Sequence, residues 1–543
     1  MNIFDSILVK KPERSLFNLS HEFKLTGNMG YLYPILCQEV LPGDTWKVNS
    51  EILVRFAPMV APIMHRVNVK INYFFVPNRL IWNQWEEFIT GGEEGTSFPE
   101  KPYIEFSSRN QSRIAVRSLA DYLGFPSPGI NGNVLTGDNY VRYDALPFRA
   151  YSLIWNEYFR NQNLQEKLAI GMDSGADNTT NYKLLRRNWE KDYFTSALPF
   201  VQRGEPVKIP IDGGSVIING DGTLIPTESI NVGTPAGERG LVTHSSGGSQ
   251  QFLAVNDPTG VSNDDPAVIN GRVAVNDIAN HLDGDIISVD GTINDLRTAY
   301  RLQRWLENNA RAGSRYIEQL LSHFGVKSSD ARLQRPEYLG GYSAPVVISE
   351  VLQNSGVQID GDGNPVGTPQ ANMAGKAMAL DKSHRIKKFF EEHGFIIGLL
   401  SVMPRTSYQQ GLPRQYQRAN RYDYYWPEFA NLGEQDIKNN EVYFNFATSH
   451  GDDTTFGYQQ RFAEYRYIPS SVHGEFKSNL QFWHLGRIFG NAPALNAQFV
   501  STEDVRSDVF AVEDEEAADK LWIEVYNNIK AVRPMPKFAI PTL

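Results

Sequence analysis

The sequence predicts a mainly β protein, antiparallel, with long loop insertions and several helices, and three observations predict it. Aromatic residues make up 12% of the 543-residue chain (25 Tyr, 30 Phe, 9 Trp), a share that a disordered chain does not carry. Thirty Pro and 44 Gly supply many turns, which favours strands over a helical bundle. Stretches rich in β-formers recur far apart, at Thr45–Phe56, Val67–Val76, Gly394–Met403, Glu441–Phe446, Arg461–Tyr467 and Ala531–Phe538. Strands so separated must pair non-locally, as in a Greek key or jelly roll, and not as successive βαβ units.

Helices are expected in a few places. Thr292 and Asp295 stand in capping-box register, and Ile293, Leu296 and Tyr300 follow at helical spacing. A second helix puts Tyr316, Ile317, Leu320, Leu321 and Phe324 on one face, and Gly325 is placed to end it. Weaker helical patterns cover Leu80–Thr90, Ala150–Glu166 and Asp381–Glu392.

Charge divides the chain. Between Ile211 and Asp290 eleven acids face two bases, so this one segment holds −9 of the chain's −10. Phe252 is its only aromatic residue, so it cannot share an aromatic core. Its short β-prone runs, such as Ser215–Asn219 and Arg272–Val275, end at turn pairs such as Asn219-Gly220. The prediction is an acidic surface insertion, 211–290, with Asp221, Glu238, Asp264, Asp265 and Asp283 on its outside; disorder is the competing reading. Residues 1–210 and 291–543 form a nearly neutral, aromatic-rich body.

Cys37 is the only cysteine, which excludes an intramolecular disulfide and a Cys-based zinc site and fits a reducing compartment such as a bacterial cytoplasm. The longest apolar run, Phe395 to Met403, is half the length of a membrane span, and the first residues, MNIFDSILVKK, lack the order of a signal peptide. A soluble protein without membrane insertion is expected.

Enzyme motifs fail on inspection. His21-Glu22 opens like a zinc-protease helix, but Leu25 stands where the second ligand belongs. Asp360-Gly361-Asp362-Gly363-Asn364 opens like a calcium loop, but Pro365 replaces its Gly and Ala371 its bidentate Glu. His65 lies between apolar runs and reads as a hydrogen-bonded structural residue. No catalytic, cofactor or metal residues are predicted. The rival reading is a β-rich glycan-processing enzyme or carbohydrate-binding protein, which needs two facing carboxylates in a cleft.

Nucleic-acid signals are local. Lys10, Lys11 and Arg14 lie near the N-terminus, and Arg533 and Lys537 flank prolines near the C-terminus. Arg405, Arg414, Arg418 and Arg421 interleave with Tyr408, Tyr416 and Tyr422. Cations neutralise phosphate and aromatic rings stack on unpaired bases.

Several blocks occur together in one order: Leu41-Pro42-Gly43-Asp44-Thr45, Phe74-Phe75-Val76-Pro77-Asn78-Arg79-Leu80, Trp155-Asn156-Glu157-Tyr158-Phe159-Arg160, Asp330-Ala331-Arg332-Leu333-Gln334-Arg335-Pro336-Glu337-Tyr338 and Arg533-Pro534-Met535-Pro536. In these the chain resembles the major capsid proteins of microviruses, within them the gokushovirus-like group. The resemblance implies an eight-stranded jelly roll of viral capsid type, one copy per icosahedral asymmetric unit. It implies a circular single-stranded DNA genome, an internal scaffolding protein, a DNA pilot protein and a bacterial surface receptor. It places the chain in the virion, and in the host bacterial cytoplasm during assembly. The insertion 211–290 carries no family words; the resemblance makes it a protrusion at the threefold axes, with host attachment as its expected use.

Overall fold

The computed structural model describes residues 13–129, 134–207, 241–243, 253–255, 293–352, 358–359, 365–366, 373–383, 385–447 and 451–538. The chain divides into two compact units, Met1–Arg203 with Leu306–Leu543, and Gly204–Trp305. In the second unit Leu241–Thr243 pairs antiparallel with Leu253–Val255. The helix Ile293–Ala312 follows in the chain.

The first unit is built on two antiparallel sheets. Its strands are β1 (Ser15–Asn18), β2 (His21–Gly27), β3 (Tyr33–Val40), β4 (Thr45–Phe56), β5 (Val67–Pro77), β6 (Glu337–Pro345), β7 (Val347–Leu352), β8 (Met373–Lys382), β9 (Ile386–Phe389), β10 (Gly394–Pro404) and β11 (Leu521–Arg533). One sheet runs β1-β11-β4-β8-β7, with β2 also on β11 and β9 also on β4. The other runs β6-β5-β10-β3. Smaller hairpins, Tyr103–Ser107 with Tyr140–Asp144 and Glu434–Lys438 with Thr455–Gln460, lie outside both sheets.

The burial patterns tell the sheets apart. Along β11 buried and more exposed residues alternate, the period of a sheet with one face on a core. All eleven residues of β10 are buried. Ile396, Leu400 and Val402 point into the space between the sheets, with Val67, Val69, Ile71 and Phe75 from β5 and Trp46, Val48, Ile52, Val54, Ile523 and Val525 from the facing sheet. Phe395, Ile397 and Leu399 point the other way, into a second core with Phe74, Trp82, Phe106 and the helix Leu146–Ile154. Cys37 packs beside that second core, and burial pushes its thiol pKa up to about 12. The four-strand sheet is therefore covered on both sides at β10, while its edge strand β6 keeps exposed residues and the larger sheet keeps one open face.

Polar groups inside the sandwich are matched to one another. Ser50 Oγ donates to Asn527 Oδ1 at 2.7 Å and meets the Tyr73 hydroxyl, while Asn527 Nδ2 donates to the Ile35 carbonyl at 2.9 Å. These contacts tie β4 and β11 of one sheet to β3 and β5 of the other. Arg149, on the helix Leu146–Ile154, is buried against Asp177 at 2.7 Å and donates to the carbonyls of Ile81 and Asp173. Burial alone raises the Asp177 pKa, but bonds from Thr180, Arg149 and Thr179 outweigh it and leave the carboxyl below its usual range.

Several expected elements come out differently. Asp381–Glu392 is not a helix: β8 ends within it and β9 pairs with Thr45–Val48, so sheet pairing overrides local propensity. Glu441–Phe446 is not a strand; Asn439–Val442 is a helical turn, and the Glu441 carboxylate accepts the Lys438 amide. Arg461–Tyr467 turns at Phe462, whose φ is 61°, into the 3-10 turn Ala463–Tyr465. The C-terminal strand starts earlier than expected, at Leu521, and stops at Arg533 before the prolines. The weak pattern at Ala150–Glu166 becomes the helix Leu146–Ile154 and a π turn, Trp155–Phe159. The helix Tyr316–Phe324 ends as expected at Gly325, with φ 68°. Thr292, the expected cap, and the runs Ser215–Asn219 and Arg272–Val275 lie outside the described residues.

Because β10 serves both cores, truncating it is felt on both sides. Ile397→Ala is expected to cost about 2–5 kcal/mol, whereas Lys530→Ala, on the open face, is expected to stay within about 0.5 kcal/mol. Chemical denaturation of the dissociated subunit checks both values.

Candidate assembly and nucleic-acid surfaces

The predicted basic residues near the termini fall into different settings. Lys10 and Lys11 lie outside the described residues. Arg14 is exposed just before β1, its guanidinium 5.8 Å from the centre of the Phe389 ring. Arg533 is brought beside it, since Ser15 pairs with Arg533 across β1 and β11. Arg533 is committed internally, however. Its Nε lies 3.2 Å from Oδ2 of the fully buried Asp44, one of its terminal nitrogens donates to the Glu39 carbonyl at 2.9 Å, and it stacks over Trp46. Lys537 is exposed beyond β11, near the ring of Phe538. Asp221, Glu238, Asp264, Asp265 and Asp283 lie outside the described residues.

The interleaved Arg/Tyr stretch turns out to be largely internal bracing. Arg414 pairs with Glu441 at 3.0 Å and Asp436 at 3.6 Å. Arg418 pairs with Glu464 and stacks on Tyr424 and Tyr465. Tyr408 is buried and donates to Asp192 Oδ2 at 2.7 Å. What stays outside is aromatic. Tyr416, Tyr422, Tyr424, Tyr425 and Trp426 are exposed, and Tyr425 packs against Tyr465, next to exposed Tyr467 and to Ile468 at 95% exposure. An apolar and aromatic surface of this kind is a liability on a lone subunit and a typical centre of a protein interface. Of this group only Tyr416 and Tyr422 stand out in the sequence; Ile468 and Trp426 carry no local pattern that would reveal their exposure.

A cleft of about 840 Å³ is polar. It is lined by Lys70, Arg160, Arg187, Arg315, Arg335 and several carboxylates. The acids are already matched to cations: Glu190 to Lys70, Glu157 and Glu318 to Arg315, and Glu434 to Arg311. Among the described residues no group of three or more His, Cys, Asp or Glu is placed to hold a metal ion. No helix among them is long and apolar enough to cross a membrane. His21, the opening of the apparent zinc motif, sits on β2 with its Nδ1 2.9 Å from the Leu19 carbonyl.

An exposed aromatic surface on a sheet sandwich is what an assembling protein buries at its contacts. The comparisons agree on the kind. Residues 6–543 match the family described as Capsid protein (F protein), and the chain belongs to that family. It is 37% identical to "Capsid protein VP1" of Chlamydia phage 1, over all of this chain and 98% of that protein. It is 36% identical to the protein of the same name from Bdellovibrio phage phiMH2K, over 97% of this chain and 95% of that one. With the Spiroplasma virus 4 protein, also named "Capsid protein VP1", identity is 30% over 98% and 95%. The chain is thus a bacteriophage major capsid protein, a structural component of the virion and not an enzyme, and it works as a homo-oligomeric shell.

One residue of the expected structural class gives a pH test. His65 Nε2 donates to the Arg405 carbonyl at 2.6 Å. Burial pushes its pKa from 6.5 down to about 4, partly offset by that bond. Between these values the unfolded chain binds a proton that the folded chain refuses. The contribution present above pH 6.5 is therefore lost as pH falls towards 4. His65→Asn is expected to flatten the fall in denaturation midpoint across that window, measured on the dissociated subunit at a series of pH values.

Proposed function

We propose that this chain builds a small icosahedral shell, one copy per asymmetric unit, around a circular single-stranded DNA genome. The observation that carries the reading is the match over residues 6–543 together with the order of strands. In chain order β2, β4, β8 and β11 belong to one sheet, in the spatial order β2-β11-β4-β8. The strands β3, β5, β6 and β10 belong to the other, in the order β3-β10-β5-β6. Two four-strand layers exchanging successive strands in this way support reading the body as an eight-stranded jelly roll. The shell is held by burial of complementary surfaces around closed symmetry axes, and the aromatic surface from Tyr416 to Ile468 fits one such contact with a second copy.

The same reading gives the acidic insertion 211–290 the outer, protruding position at the threefold axes. Its −9 charge suits an outward surface, where like-charged particles repel. Assembly in the bacterial cytoplasm with an internal scaffolding protein, a DNA pilot protein inside the particle and a bacterial surface receptor belong to the same proposal, carried by the resemblance. Neither host attachment by the insertion nor a glycan-processing activity gains support from the cleft or from the relatives.

Negative-stain electron microscopy of the expressed chain, with a scaffolding partner supplied, tests the proposal. Uniform small icosahedral shells are the expected result; persistent monomers would contradict it. Deleting 211–290 is expected to leave folded subunits and smooth shells, and failure to fold would remove the insertion from the outside. Ile468→Asp is expected to leave the subunit folded while raising the concentration needed for assembly by about 30-fold or more. An unchanged threshold would take the aromatic surface out of the contact.

A further inference from the structure

The open face of the larger sheet carries a feature that sheet stability alone does not explain. Lys530 on β11 pairs directly with Lys47 on β4, and Lys47 pairs on its other side with Lys387 on β9. All three are exposed and lie in one cross-strand row. Directly opposed residues stand about 4.5–5.5 Å apart at Cβ, and like charges so placed are destabilising. Two other lysines of this face are matched, Lys24 with Glu22 and Glu524 and Lys382 with Glu51. Among the described residues Lys47, Lys387 and Lys530 form no ion pair, and neither does Arg55. Three unmatched ammonium groups in a row call for a polyanion.

A second observation lies further along the same strands. Arg55 pairs in register with Trp522, which is 48% exposed. The two line a cleft of about 750 Å³ with Lys24, Phe23 and Arg117. An open indole beside an unmatched guanidinium is the arrangement on which an unpaired base stacks while its phosphate is neutralised. Lys530 follows Trp522 by eight positions along β11, about 26 Å at roughly 3.3 Å per residue. Tyr526 lies between them on the same face, partly exposed. That span suits a few nucleotides, near the lower end of the roughly 4–16 that a single-strand groove takes.

We infer that the open face of the larger sheet is a track for single-stranded DNA, with phosphates on the row Lys530–Lys47–Lys387 and a base on Trp522. The inference rests on the proposed single-stranded DNA genome, and it assigns contacts that the basic residues near the termini do not include. It also places exposed Arg14, just before β1, at the lysine end of the track, since Phe389 below it follows Lys387 by two residues. The face is not read as a contact between subunits, because its free cations have no matching acids in the row. A neighbour's carboxylates are the competing occupant, which the test separates.

The full chain is titrated with labelled oligothymidylate over a salt series. The wild type is expected to lose affinity linearly in log salt. The triple variant Lys47→Gln, Lys387→Gln, Lys530→Gln is expected to lower that slope by about 2, at roughly 0.7 for each phosphate left without its cation. Its thermal midpoint is expected to hold or rise, because opposed like charges are gone. The single variant Lys530→Gln, expected to lower the slope by about 0.7, serves if the triple is poorly folded. Trp522→Leu is expected to weaken binding by about 5- to 150-fold with the slope unchanged. Electron microscopy of the same variants is expected to show normal shells. An unchanged slope in well-folded variants would overturn the track and leave the genome reading standing. Loss of shells in the Gln triple, with recovery in the Lys→Arg triple, would overturn it in favour of a neighbouring subunit. Absence of any salt-dependent binding by the wild type would overturn the genome reading and the track together.

Discussion

Strand β10 is held in hydrogen bonds on both edges, by β5 and β3, and buried on both faces, and the rest of the body is arranged around that constraint. A strand without an exposed side chain needs two apolar partners. The facing sheet supplies one through Val48, Ile52, Ile523 and Val525. The helix Leu146–Ile154 and the segment around Trp82 supply the other. The loops that carry this second layer must then be fixed, which is the work of the buried Arg149–Asp177 pair and its bonds to Ile81 and Asp173. Such a pair adds little net stability by itself, but losing one partner leaves a buried charge, so it holds the layer to one arrangement.

The asymmetry between the sheets then divides the functions. The four-strand sheet is closed on both faces at β10, with exposed residues left on its edge strands β3 and β6. The larger sheet has one free face, so its outward side chains are released from packing. They can be polar, charged or aromatic without harm to the core, as Lys47, Arg55, Trp522 and Lys530 are. The aromatic surface around Tyr425 and Tyr465 is separate from both sheets, on loops braced by Arg414 and Arg418. Rigid bracing under an exposed aromatic surface limits what is lost in ordering it on association.

Much of this was legible in the sequence. Thr45–Phe56 and Val67–Val76 alternate or run apolar as strands do, and both are strands within a residue of the expected bounds. Gly394–Met403 was legible as a strand, yet its meaning was not: a continuous apolar run signals burial on two faces, and nothing local says what the second cover is. Asp381–Glu392 misled because Ile386, Phe389 and Phe390 recur at helical spacing, while the pairing that makes Ile386–Phe389 a strand comes from β4, far away in the chain. Glu441–Phe446 reads as a strand, but the Glu441 carboxylate is used locally on the Lys438 amide and on Arg414. The surfaces were least legible. Arg533 looked like a free cation and is tied to buried Asp44, whereas Lys47, Lys387 and Lys530 gain their meaning only from a register that joins three distant segments.

The most direct test of this account is amide hydrogen exchange on the dissociated subunit, resolved by peptide. If burial of β10 on both faces underlies the body, the amides of Gly394–Pro404 exchange only by global unfolding, the slowest in the chain, while the hairpin Glu434–Lys438 with Thr455–Gln460 opens earlier. Exchange of Gly394–Pro404 at the rate of that hairpin would contradict the account, because the two cores would then open without the strand they share.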